Sequence, residues 1–282
     1  QDIQLNDPQR VRQILLEARS GMEAGLVPSG HAVVMGRLGA HFDAADWVDE
    51  QIDGIEYLFF VRGLLNDFDN QWETIQEKLT QVRDTLLNRN AMKVNVTLDE
   101  KNFSALQGPL STFIDAFPAT DFTPHAWQPT AMTSHEGLSI PAQVNYVGLG
   151  ANLRDLGYER TGATSVVLNV LRTTYLWEKV RVQGGAYGGF AVYDSNTGIW
   201  RFLSYRDPNL LGTLDNYYNS ASFLKGLTMT QDEINRSIVG TIGNMDGYQL
   251  PDAKGYSQLM RHLIGYTDEA RQQTRDEVFG TT

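Results

Sequence analysis

The sequence contains no cysteine among its 282 residues. Disulfides, thiolate metal ligands and cysteine nucleophiles are therefore excluded together. A reducing compartment is permitted but not required, because secreted proteins can also lack cysteine. No run approaches the ~18 consecutive apolar residues that would cross a bilayer, so no membrane segment is expected. The opening Gln1-Asp2-Ile3 does not begin a basic-then-apolar pattern, so no signal peptide is expected there. Positive charge is also scarce. Twenty-three Lys and Arg against 34 Asp and Glu give a net charge of -11, which repels phosphate backbones and argues against nucleic-acid binding. An acidic surface suits cationic peptides, although solubility alone explains it.

Metal and nucleophile motifs are missing too. The five histidines, His31, His41, His125, His135 and His262, include no pair spaced three or four apart, so neither H-E-x-x-H nor H-x-x-E-H is present. His135-Glu136 reads as a chance neighbour pair. There is no G-x-S-x-G elbow and no Walker loop. Gly184-Gly185-Ala186-Tyr187-Gly188-Gly189 is glycine-rich, but it precedes an expected strand, whereas a phosphate loop opens a helix.

What is present is enough apolar material for a core, 41% of the chain. Asp7 and Pro8 start a helix as N-cap and first residue, and Val11, Ile14, Leu15, Ala18 and Met22 give it one apolar stripe. Val27-Pro28-Ser29-Gly30 ends it, and residues 31–88 read as further helices. Met92–Leu98 alternates like a half-buried strand. A helix through Phe103 to Ile114 should be kinked or divided by Pro109. The segment from Pro118 to Ser139 has no period and reads as a linker.

Beyond it, 142–147 reads as a strand. Ala163, Val167, Val170, Leu171, Thr174 and Trp177 form a helical stripe. Residues 186–193 and 199–205 form a hairpin across Asp194-Ser195-Asn196-Thr197-Gly198. Three helices close the chain, one with a Thr230/Glu233 capping box and another started by Thr267. The order predicts an α+β fold in two units. One strand cannot make a sheet, and the last helix is still running at Thr282, so the pattern is that of a piece of a longer protein.

One feature suggests chemistry. Arg181 stands six residues before Tyr187, across a glycine-rich helix-to-strand turn. A guanidinium and a phenol are good donors to a carbonyl that gains negative charge. On local chemistry alone, a surface cation and a packed aromatic is the simpler account.

The wider segment changes that balance. Tyr175-Leu176-Trp177-Glu178-Lys179-Val180-Arg181-Val182-Gln183-Gly184-Gly185-Ala186-Tyr187-Gly188-Gly189 resembles the signature of the C-terminal half of presequence proteases and falcilysin, in the pitrilysin/insulinase superfamily of inverted zinc peptidases. Ser29-Gly30-His31, Trp47–Ile55 and Arg271–Arg275 are similar to flanking stretches of that half, in consistent order over nearly the whole chain.

The resemblance implies pitrilysin/insulinase-like α/β units, each a mixed sheet packed by helices, the first incomplete. Residues 1–118 would be the latter part of a third peptidase-like domain, mainly helical, 119–135 a linker, and 136–282 a fourth domain lacking its C-terminal end. It implies catalytic roles for Arg181 and Tyr187, and substrate binding by Arg181, Gly184, Gly185 and Tyr187. It implies no metal ligand or cofactor in this chain, the zinc lying in an N-terminal half. The expected partners are that catalytic half and peptide substrates, with no nucleic acid and no membrane. The expected compartment is the cytoplasm, with the mitochondrial matrix or a plastid as the alternative. The isolated chain would be inactive. A noncatalytic scaffold or peptide-binding subunit is the competing reading, and nonspecific capture of cationic ligands by charge is a third.

Overall fold

The computed structural model describes residues 4–282. In chain order the helices and strands are α1 (Pro8–Leu26), α2 (Gly30–Gly39), α3 (Ala44–Asp53), α4 (Ile55–Asn66), α5 (Phe68–Leu86), α6 (Glu100–Asp115), β1 (Gly148–Asn152), α7 (Ala163–Val170), two π-helical segments (Leu171–Tyr175 and Trp177–Gln183), β2 (Gly188–Tyr193), β3 (Ile199–Tyr205), α8 (Leu211–Gly226), α9 (Gln231–Met245), α10 (Pro251–Leu263) and α11 (Asp268–Phe279). The fold is α+β: mostly helix, with one three-stranded antiparallel sheet in the order β1-β3-β2. The family resemblance implies a mixed sheet. Both pairings among the described residues are antiparallel.

The helix signals in the sequence act as expected. The Asp7 carboxylate accepts from the Arg10 N–H at 3.0 Å, capping α1. Thr230 and Glu233 form the capping box of α9. Other expectations do not hold. Pro109 does not divide its helix, since α6 runs through it, and its exposure lets water satisfy the carbonyl the ring leaves unbonded. Met92–Leu98 is irregular, since no other strand of the described residues runs beside it. The strand expected at 142–147 forms later, at Gly148–Asn152, preceded by a single bridge from Asn145 to Asp207. Four helices follow the hairpin rather than three.

The chain divides into two compact units. One comprises residues 4–17, Gly63–Ala126 and Tyr248–Asp268. Some of its ties are polar. Buried Asn88 accepts the Thr120 N–H at 3.1 Å and donates to the Thr120 carbonyl at 2.9 Å.

The other comprises Ala18–Arg62, Trp127–Gly247 and Glu269–Thr282, and it holds the sheet. The strand alternation sorts its side chains onto two faces. Leu149, Phe202 and Ala191 face the core formed with Leu171, Leu176, Val180 and Tyr217. Leu203 and Arg201, next in register, belong to the face covered by α2. There Arg201 pairs with Asp46 of α3. A second cluster joins Val166, Ile238 and Val278. Arg37 of α2 binds three carboxylates, Glu50 and Glu56 at 2.8 Å each and Glu136 at 2.7 Å.

Candidate functional site

The site begins where the helix after α7 changes its winding. Thr173 and Thr174 donate their hydroxyls back to the carbonyls of Asn169 and Val170, at 2.7 and 2.6 Å. The same back-bonding occurs in unbroken α-helices at Thr80, Thr85 and Thr112, so it does not by itself account for the π winding that starts at Leu171. In an α-helix a residue nine positions on lies on the opposite side. With i→i+5 bonding the turn widens, and nine residues make about two turns. Burial follows this wider period: Leu171, Leu176 and Val180 are all 0% exposed. Displaced by one residue from each, Arg172, Trp177 and Arg181 form an outward row. The α-helical stripe expected through Thr174 and Trp177 therefore fails at its end, and Trp177 is 48% exposed.

The helix then closes on its glycines. The Ala186 N–H donates to the Val180 carbonyl at 3.1 Å and the Gly185 N–H to the Arg181 carbonyl at 2.9 Å. The Gly185 bond is that of an αL cap, which needs a left-handed residue at Gly185, whose φ is +80°. At Gly184 a Cβ would come 2.5 Å from the Val180 carbonyl oxygen, too close for any side chain. The turn is held from outside as well. Asn209 donates its amide to the Gly184 carbonyl at 2.6 Å. Its own N–H donates to buried Asp207 at 2.9 Å, and Asp207 also accepts the Thr213 hydroxyl at 2.7 Å. Beneath the sheet, burial pushes the Tyr217 and Tyr175 phenols above the ordinary phenol range, and each donates its proton to a backbone carbonyl.

From this turn the chain enters β2, an edge strand. Tyr187 extends the ladder by one bond, its N–H donating to the Tyr205 carbonyl at 2.9 Å. Its side chain is 66% exposed and lines a cleft of about 550 Å³ together with Arg172, Trp177, Arg181, Phe190 and Asn244. The Arg181 guanidinium lies over the Trp177 ring, 4.3 Å from its centroid. The Arg206 guanidinium stands 5.9 Å from the Tyr187 ring centroid.

The structure thus brings Arg181 and Tyr187 into one cleft. Gly184 and Gly185 build the turn and do not line that cleft, whereas Gly188 and Gly189 do. Neither the Arg172 nor the Arg181 guanidinium makes a hydrogen bond or ion pair among the described residues, so both present free N–H donors. No carboxylate lines the cleft. No group of three or more His, Asp or Glu among the described residues could hold a metal ion, so the side chains here do not fit a zinc site. The arrangement can orient and polarise a carbonyl or carboxylate through neutral and cationic donors.

Sequence reasoning did not find Arg172, Arg206 or Asn244. Arg206 was within reach. The hairpin register pairs Gly188 with Tyr205, and one step further sets Tyr187 beside Arg206. Arg206 adopts a left-handed φ of +48°, the one positive value at a non-glycine position among the described residues. Arg172 was hidden because α periodicity puts it opposite Arg181.

Residues 135–282, which include the whole of this site, match the family model described as "PreP C-terminal domain". Residues 1–64 match a second model, whose description is that of a peptidase-associated region. The chain is 43% identical over 283 residues to presequence protease 1, chloroplastic/mitochondrial, of Arabidopsis thaliana, covering 100% of this chain and 26% of that protein. It is 30% identical to protein HypA of Clostridium perfringens, over 97% of this chain and 28% of that protein. It is 27% identical to the mitochondrial presequence protease of Saccharomyces cerevisiae, over 92% and 27% respectively. The chain therefore spans about a quarter of the length of these relatives.

Proposed function

The chain belongs to the PreP C-terminal domain family of presequence-protease-type peptidases, and from that premise we propose that it is part of the non-zinc-binding C-terminal half of a zinc metallopeptidase that degrades peptides. The observation that supports this most is the meeting of Arg181 and Tyr187, with unpaired donors, in one carboxylate-free cleft. In this reading Arg181 binds a peptide carbonyl and Tyr187 donates its phenolic proton to the oxygen as it gains charge. The reading places the zinc and the general base in an N-terminal half of the same longer protein, and peptides are the substrates. It also takes the chain as the latter part of a third pitrilysin-like unit, a linker and most of a fourth. The relatives named for chloroplast and mitochondrion favour an organelle over the cytoplasm. No helix of the described residues is long and apolar enough to cross a membrane.

The test is Tyr187→Phe in the full-length protein, assayed on a fluorogenic peptide. Removing one oxyanion donor lowers kcat by roughly 10²–10³, and a selective loss in kcat rather than KM marks a contact made in the transition state. Full kcat in this variant would sink the role of Tyr187. Unchanged kinetics in both Tyr187→Phe and Arg181→Gln would favour the noncatalytic reading.

A further inference from the structure

We propose that Arg172 is a second anchoring arginine of this cleft and that it takes a carboxylate of the bound peptide, an inference that rests on the peptide-binding reading above. The π winding makes the case. Leu171, Leu176 and Val180 are wholly buried in the core, which fixes the rotation of the segment. That rotation sends Arg172, Trp177 and Arg181 outward as one row and brings them together in one cleft. An α-helix would put the two arginines on opposite sides. Rare π winding is kept here at the cost of weaker hydrogen bonding, and such segments concentrate at functional sites.

The charge of the cleft points to the ligand. In a chain of net charge -11, this cleft has two arginines with no ion pair, Asn244, the Tyr187 hydroxyl and no carboxylate. What sets this cleft apart is that two arginines without an ion pair meet in it and no carboxylate lines it, whereas the Arg37 guanidinium is taken by three carboxylates. Arg181 is stacked on Trp177, which holds its plane and leaves its N–H edge to a carbonyl. Arg172 has no such ring, and its fork remains open to a bidentate carboxylate. The carboxylate can be the C-terminus of the peptide or the side chain of an Asp or Glu within it.

The experiment uses the full-length protein and four synthetic labelled peptides of otherwise identical sequence. One has a free C-terminal carboxylate, one is its C-terminal amide, one is the amide with an internal Glu, and one is the amide with Gln in its place. Binding is read by fluorescence anisotropy in the presence of a metal chelator, and hydrolysis is followed separately. The wild type should bind a carboxylate-bearing peptide about tenfold more tightly than its uncharged match, the scale of one charge-assisted contact. Arg172→Gln should bring that ratio to about one, and Arg172→Lys should restore part of it. If the preference follows the terminus, the carboxylate is terminal; if it follows Glu against Gln, it is a side chain.

A wild type without preference, or an Arg172→Gln variant that keeps it, overturns the proposal while leaving the roles of Arg181 and Tyr187 standing. Conversely, full turnover in Tyr187→Phe with the carboxylate preference intact overturns the catalytic reading alone.

Discussion

The two units carry similar amphipathic sequence patterns and bury them very differently. In the unit with the sheet, Leu171, Leu176, Val180 and Ile199 are 0% exposed and Tyr217 1%. In the unit built from Gly63–Ala126 and its flanking segments, Phe68 and Ile75 are buried, but Leu86 is 71% exposed and Phe113 61%. No residue of α6 or α10 is buried. Periodicity in the sequence therefore states which side of a helix is apolar, and says nothing of whether this stretch of chain supplies the cover. The site follows the packed unit. Its winding, turn and strand are each fixed by a buried neighbour, so the outward residues are placed by what lies beneath them.

The sharpest test of that contrast pairs two truncations. Leu176→Ala removes a side chain wholly enclosed beneath the arginine row and should destabilise by about 3 kcal/mol, the middle of the range for such cavities. Phe113→Ala removes a larger side chain that is mostly in water, and should change stability by about 0.5 kcal/mol or less. Urea denaturation of the two variants reads the difference, and equal losses would erase the distinction between the units. Leu176→Ala should also lower turnover, because the row above it loses its seat.

A smaller effect separates the turn from the cleft. Gly185→Ala forces a side chain into the left-handed region, at a cost of about 1–2 kcal/mol. Gly212 in α8 has open space around its Cβ position and no left-handed angle, so Gly212→Ala should be neutral or slightly stabilising. The thermal unfolding temperature should fall for Gly185→Ala and stay level or rise slightly for Gly212→Ala. A Gly185→Ala variant as stable as Gly212→Ala would mean that the αL cap does not hold the turn.

How much of this was readable in advance depends on what carried the signal. Helix starts were legible because single polar atoms cap them: Asp7 on α1 and the Thr230/Glu233 pair on α9. The hairpin was legible because its turn residues and both flanking strands agree. β1 was placed too early because two of its five residues are glycine and cannot show alternation. Met92–Leu98 alternates without forming a strand, since pairing depends on a partner that the pattern does not name. The Arg181–Tyr187 meeting was legible across six residues and one turn. Arg172 was not, because the segment winds as a π-helix, whereas an α period puts Arg172 opposite Arg181.

The smallest expected effect concerns the Arg37 cluster. Glu136 comes from the irregular stretch before β1, and its carboxylate receives the Nε and Nη2 donors of Arg37 at 2.7 and 2.8 Å. Those bonds from Arg37 hold the Glu136 carboxyl below its ordinary value of 4.5, against the opposing effect of partial burial. A carboxyl lowered on folding stabilises fully above its unfolded value, and that contribution fades as the pH falls through the lower, folded value. The window is therefore acidic, below 4.5. At neutral pH Glu136→Gln should lower stability by about 1 kcal/mol or less, since the group keeps some contact with water. The gap between wild type and variant, followed by denaturation against pH, should stay level down to 4.5 and close below it. In the other unit, Asp69 also accepts two bonds from an arginine, Arg12, but is 82% exposed, so Asp69→Asn should open no measurable gap at neutral pH. If Asp69→Asn cost as much as Glu136→Gln, exposure would not be what separates the two pairs, and the contrast between the units would have to rest on their apolar cores alone.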